Sequence, residues 1–263
     1  VTTISGRLRQ ALSTRIGAGW LVAAVLLAGT GGAVLAAGPA IPASGASVDS
    51  GDRVAIERIV RDYILAHPEI IPEAMKRLQS REVALLLETN RNAIETPFAG
   101  AQDGNPRGDV SVVVFFDYAC PYCRQGQKDV LKLAGEDKGV RIVYRDFPVL
   151  SPDSDEAAMA SLSAAQQGKY PLYHNAMFNT PGKVAHDRTL AVAHTAGLDD
   201  ARTARDLAAP ALKAEIRRNL ELGRALGLTG TPSYVIGDRI LSGAVGFDAL
   251  KEAVAEARQA RAG

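Results

Sequence analysis

Hydrophobic positions follow four different patterns along the chain. From Ile16 to Ala37 they are almost continuous, interrupted mainly by small residues and by glycines at 17, 19, 29, 31 and 32. From Asp52 they recur at helical spacing: Ile56, Ile59, Val60, Tyr63 and Ile64 form one stripe. That helix is expected to stop at His67-Pro68, because the residue before proline avoids the α region. A longer helix then runs from about Pro68 or Pro72 to Ile94, with Ile71, Met75, Leu78, Leu85 and Leu86 on its apolar face and Glu82 interrupting it. Val110–Phe116 is a short β-branched and aromatic run, which suits a central strand buried on both faces. A helix from Cys120 to about Gly135 and a strand over Val140–Tyr144 complete a βαβ unit. Helical segments follow at roughly 154–168, 170–179, 187–196, 200–208 and 211–226, separated by Gly and Pro. Strands return at Ser233–Ile236 and Arg239–Leu241 around a Gly237-Asp238 turn, and a last helix spans Phe247–Arg261.

The first pattern differs in kind from the rest. Arg7, Arg9 and Arg15 precede it, and no acidic residue occurs before Asp49. A basic start, an apolar stretch and small residues near Val34-Leu35-Ala36-Ala37 are the layout of a signal peptide. The run is also about long enough to serve as an uncleaved membrane anchor. Either version sends the remainder across a membrane, into a compartment where disulfides persist. Residues 1–37 are therefore the export segment, 38–51 a Gly/Pro/Ser-rich linker, 52–95 an N-terminal helical region and 96–263 the main domain, with a helical insertion at about 154–226. The helical region has little of its own to bury against. It is either folded onto the main domain or a site of homo-oligomerisation, and the second reading is preferred. The 30 basic and 29 acidic residues nearly balance, and no polybasic run follows the first segment, so nothing points to nucleic acid.

Candidate chemistry is concentrated in Cys120-Pro121-Tyr122-Cys123, which holds both cysteines of the 263-residue chain. Two thiols at this spacing, entering a helix from a strand, form a dithiol–disulfide redox centre. With Cys120 at the N-cap and Pro121 in the first turn, the N–H groups of Tyr122 and Cys123 point at the Cys120 sulfur and favour its thiolate. Cys120 is thus expected to be the more exposed, attacking sulfur and Cys123 the buried, resolving one. Pro121 and Tyr122 are expected to tune the potential. A structural zinc site would need four ligands, and His67, His174, His186 and His194 are scattered without paired spacing. No metal or other cofactor is expected. A disulfide closing so short a loop would add little stability. His174 and His194 read as packed or surface histidines, and Arg145-Asp146 as a local ion pair.

Gly104-Asn105-Pro106, Phe115-Phe116-Asp117-Tyr118, Cys120-Pro121-Tyr122-Cys123 and Gly230-Thr231-Pro232 together resemble the DsbA-like branch of the thioredoxin superfamily. Residues 59–69, Ile-Val-Arg-Asp-Tyr-Ile-Leu-Ala-His-Pro-Glu, resemble the N-terminal region of suppressor-of-copper-sensitivity (ScsC-like) and Com1-like periplasmic proteins. The resemblance implies an α/β thioredoxin fold with an inserted helical domain, preceded by an N-terminal helical region. It also implies a cis Pro232 beside the dithiol, with the Thr231 backbone pairing to an extended substrate segment. Many thioredoxin-like proteins carry a buried acid six positions before the first cysteine; here that position is Val114. Asp117 either supplies the carboxylate from the strand's end or caps the turn.

The function these features predict is an exported thiol–disulfide oxidoreductase acting on cysteine-containing exported proteins and recycled by a membrane redox partner. It is expected in a periplasm-like compartment, cleaved or tethered by its first segment. Oligomerisation through residues 52–94 tilts the expectation toward an isomerase or reductase rather than a DsbA-type oxidase. A reading of another class is a non-enzymatic holdase or a copper-binding protein using the two thiols as soft ligands.

Overall fold

The computed structural model describes residues 49–262. The expected export segment and most of the linker lie outside them. Among the described residues, no helix is long and apolar enough to cross a membrane.

Two helices come first, α1 (Ser50–Ala66) and α2 (Ile70–Glu95), broken at His67-Pro68 as the proline requires. The chain then forms β1 (Gln102–Gly104), β2 (Val110–Phe116), α3 (Pro121–Glu136) and β3 (Val140–Asp146). Five helices follow: α4 (Pro152–Gln166), α5 (Tyr170–Asn179), α6 (His186–Thr195), α7 (Asp200–Asp206) and α8 (Pro210–Ala225). The hairpin β4 (Ser233–Ile236) and β5 (Arg239–Ser242) leads to α9 (Phe247–Ala262). Gly237 opens the hairpin turn at φ 56°, a conformation that glycine adopts without steric cost.

The sheet order is β1-β3-β2-β4-β5. Only the β2–β3 pair is parallel, because α3 carries the chain back over the sheet between them. All seven residues of β2 are buried, as expected of a strand covered on both faces. Val112, Val114 and Phe116 face one core layer with Ile142, Tyr144 and the helices α3 and α9. Val113 and Phe115 face the other, with Val143, Phe147, Leu226 and residues of α2. This is the expected thioredoxin fold with a helical insertion between β3 and β4. The short edge strand β1 was not expected, since its Gln-Asp-Gly sequence carries no strand signal.

The apolar face expected on the second helix needs correction. Ile71, Met75, Leu78 and Leu85 are exposed, as are Ile59, Val60 and Tyr63 of α1. The residues of α2 that reach the core are Leu87 and Ile94, with Val83 and Leu86 partly buried beside them. So the last turns of α2 anchor on the domain, while most of the expected stripe is exposed among the described residues.

Candidate active site

Cys120 ends the turn after β2 and is the N-cap of α3, with φ −82° and ψ 118°, and Pro121 occupies the first helical turn. The missing N–H of Pro121 is harmless there, and the Cys123 N–H is left free to donate to the Cys120 Sγ at 3.4 Å. On its other side, the Cys120 thiol donates to the carbonyl oxygen of Thr231 at 3.2 Å. The Thr231-Pro232 bond is cis, as the resemblance implied, and leads directly into β4. The Thr231 hydroxyl is buried and has no hydrogen-bond partner among the described residues. Tyr122 projects outward and is 63% exposed.

The two sulfurs do not differ in the way expected. Both cysteines are buried, each at 3% exposure. What separates them is surroundings. Cys120 lines an open cleft of about 530 Å³ together with Tyr118, Arg124, Ser151, Asp153 and Lys183, whereas Cys123 does not line it. A hydrogen bond from the Cys123 thiol lowers the Cys120 thiol to about 6, against an opposing effect of burial. Burial pushes the Cys123 thiol well above its usual range. One sulfur is therefore readily ionised and the other firmly protonated in the dithiol form. Apart from the thiols, no His, Asp or Glu among the described residues completes a three-membered metal-binding group.

Asp117 is buried, and its carboxylate sits in the turn rather than against a sulfur. Oδ1 accepts from the Ala119 N–H at 2.8 Å and the Ser154 hydroxyl at 2.7 Å. Oδ2 accepts from the N–H groups of Val149 and Leu150, both at 2.9 Å. Of the two readings of Asp117, capping the turn is the one these bonds match.

Arg145 and Asp146 are not a local ion pair. Strand alternation sends them to opposite faces of β3. The Arg145 guanidinium donates to the carbonyls of Ala93, Ile94 and Thr96 at the end of α2, and to Glu215 at 3.4 Å and Asn219 at 3.3 Å on α8. Asp146 faces the side of the dithiol. Its Oδ1 accepts from the Ser161 hydroxyl at 2.6 Å, its Oδ2 has no partner among the described residues, and burial pushes the carboxyl up to about 8. Around it stands an aromatic cluster in which the Tyr118 hydroxyl and His174 Nδ1 are hydrogen-bonded at 3.0 Å. Burial lowers His174 to about 3, which makes it the packed histidine that was expected. His194 is exposed beside Asp200. The grouping of Asp146 with Tyr118 left no sequence signal, because it is made by contacts between residues far apart in the chain. The Ser151-Pro152-Asp153-Ser154 N-cap of α4 did leave one, a serine ahead of proline.

A strand-to-helix turn that ionises the first of two thiols, faced by a cis X–Pro bond, is the layout of a dithiol–disulfide centre on a thioredoxin fold. Comparison narrows the class. Residues 111–255 match the DSBA-like thioredoxin domain, more than half of the chain, and the protein belongs to that family. Residues 52–84 match the copper resistance protein ScsC N-terminal domain. A thioredoxin-like oxidoreductase from Silicibacter pomeroyi is 42% identical, with 65% of this chain and 98% of that one covered and a TM-score of 0.62. A linker-deleted mutant of Proteus mirabilis ScsC is 26% identical, covers 82% of this chain and 99% of its own, and has a TM-score of 0.62. The Na(+)/H(+) antiporter NhaA 3 of Salinispora tropica is 28% identical over 156 residues, 59% of this chain and 24% of that protein. The chain spans about a quarter of the length of the first curated relatives it matches.

Proposed function

We propose that the protein exchanges disulfides with cysteines of exported proteins, with Cys120 as the attacking sulfur and Cys123 as the resolving one. The observation that carries this reading is the asymmetry of the pair: Cys120 lines the cleft with its thiol lowered to about 6, whereas Cys123 does not line it and has its thiol raised. Attack by the Cys120 thiolate on a client disulfide forms a mixed disulfide and releases a client thiolate. Cys123 then gives up its proton and attacks Cys120, which closes the enzyme disulfide and frees the reduced client. Run backwards, the same steps oxidise a client dithiol. Pro121 and Tyr122 set the potential from within the loop, and Thr231 with Pro232 pairs to an extended client segment across the cleft. The helical region at 52–95 serves assembly, and the domain at 96–263, with its insertion at about 154–226, serves exchange.

The favoured direction is reduction and isomerisation. The supporting feature is the apolar surface on α1 and α2, where Ile59 is 67% exposed, Met75 66% and Leu78 58%, which suits a homo-oligomer that holds a misfolded client between dithiols. A membrane redox partner would then keep the pair reduced; a DsbA-type oxidase would use the same residues with the partner removing electrons instead. The test compares one preparation on two clients, a scrambled-disulfide ribonuclease and its fully reduced form. Faster recovery from the scrambled form is expected. Recovery only from the reduced form would make the protein an oxidase.

A further inference from the structure

We propose that Asp117 is a positioning residue for client binding: its carboxylate fastens the two walls of the Cys120 cleft to each other. The inference deepens the proposed exchange reaction and rests on Cys120 being the attacking sulfur.

The cleft has one wall from the turn into α3, Tyr118 to Pro121, and another from the start of α4, including Ser151 and Asp153. These walls come from different crossings of the sheet, and neither is covalently close to the other. Asp117 bridges them. One oxygen holds the Ala119 N–H, directly before Cys120; the other holds the consecutive N–H groups of Val149 and Leu150, directly before Ser151. The first oxygen also takes the Ser154 hydroxyl, which in turn sits 3.0 Å from the Ser151 hydroxyl at the N-cap of α4. Four donors fill the accepting positions of the Asp117 carboxylate and leave it turned away from other partners. That geometry suits a fixed strut and is poor for a proton carrier.

The strut also determines what the second wall presents. With their N–H groups turned inward to Asp117, Val149 and Leu150 leave their side chains 47% and 53% exposed immediately beside the cleft. A client segment with an apolar side chain next to its cysteine is the class of substrate this arrangement favours. Small disulfides that reach Cys120 without touching the second wall gain nothing from it.

The experiment uses the full chain and two disulfide substrates: a short peptide whose cysteine is joined to glutathione and flanked by leucine, and oxidised glutathione alone. In Asp117→Asn the amide nitrogen takes the Oδ1 position at least cost, where the Ser154 hydroxyl can turn to accept from it and the bond from the Ala119 N–H is lost. The expected result is a KM for the peptide raised about tenfold, the scale of losing a hydrogen bond to a charged acceptor. The rate on oxidised glutathione should fall by a clearly smaller factor, and the pH midpoint of that rate should not move. Ser154→Ala, which removes one side-chain donor and keeps the carboxylate, should raise the peptide KM by a smaller factor. An unchanged peptide KM overturns the inference, as does an equal loss on both substrates. A shifted pH midpoint overturns it in favour of proton transfer by Asp117. If Asp117→Asn does not fold, Ser154→Ala decides alone, and an unchanged KM in that variant is the contrary result. A wild-type chain inactive on both disulfides would instead sink the exchange reading, and the inference with it.

Discussion

A thiol lowered to about 6 is largely thiolate at neutral pH, and the thiolate is the form that attacks. Alkylation of Cys120 by iodoacetamide should therefore rise through about pH 6 and level off above it. In Cys123→Ala the midpoint should move up, because the hydrogen bond from the Cys123 thiol is the largest cause of the lowering. A flat profile from pH 5 to 8 would contradict the assignment. Stabilising the thiolate stabilises the reduced form, so the potential should fall between those of thioredoxin and DsbA, about −270 to −120 mV. Equilibration with a glutathione buffer measures it. Asp146 makes a prediction of opposite character. Its folded-state carboxyl, at about 8, holds a proton that the unfolded chain has already lost at neutral pH. Folding therefore binds a proton, and stability falls as pH rises toward 8. His174 works the other way, since its lowering to about 3 makes stability fall as pH drops below 6.5. Between pH 6.5 and 8 only Asp146 contributes of the two, with a loss of about 2 kcal/mol. In the dithiol form Cys120, with its thiol lowered to about 6, gains stability over the same window and opposes this loss, so urea unfolding of the disulfide form should show it, and Asp146→Asn should flatten it.

At the scale of elements, α3 must approach β4 closely enough for the dithiol to meet Thr231. Gly126 allows this: a Cβ there would run into the Tyr234 hydroxyl on β4. Gly126→Ala should cost about 1–3 kcal/mol through overpacking and slow exchange by lifting the Cys120 end of α3 from Thr231. Unchanged stability and activity would show that the approach is loose. Arg145 is the comparable device for α2, closing its C-terminal carbonyls and pairing with buried Glu215. Arg145→Ala leaves Glu215 with Arg218 as its remaining cation and strips the last carbonyls of α2 of their donor, and denaturant unfolding should register a loss of about 1–3 kcal/mol. Most of these elements were readable beforehand because they carry strong local signals. Val110–Phe116 is a nearly continuous apolar run, Pro121 marks a helix start, and Gly237-Asp238 marks a hairpin. The dithiol was readable for the same reason, whereas its Thr231-Pro232 partner came from the family resemblance. Residues whose roles depend on long-range contacts were not. Arg145 and Asp146 are adjacent in sequence, and only the strand's covered faces show that they serve opposite core layers. The expected face of α2 failed similarly: periodicity finds an apolar stripe, but which part meets the core depends on the rest of the domain.

For the whole molecule, the exposed apolar faces of α1 and α2 give a prediction about assembly. Light scattering on residues 49–263 should give more than one copy per particle, and a version beginning near Glu95 should be smaller than its mass ratio alone requires. A monomer in both cases would remove the reason for preferring isomerisation over oxidation. The account as a whole stands on the division of labour between the two sulfurs. The measurement that tests this directly is trapping with a client disulfide, followed by mass spectrometry of the adduct. Cys123→Ser should accumulate a client joined to Cys120, because the resolving step is blocked, and Cys120→Ser should accumulate none. Adducts at Cys123, or no adduct in either variant, would contradict it.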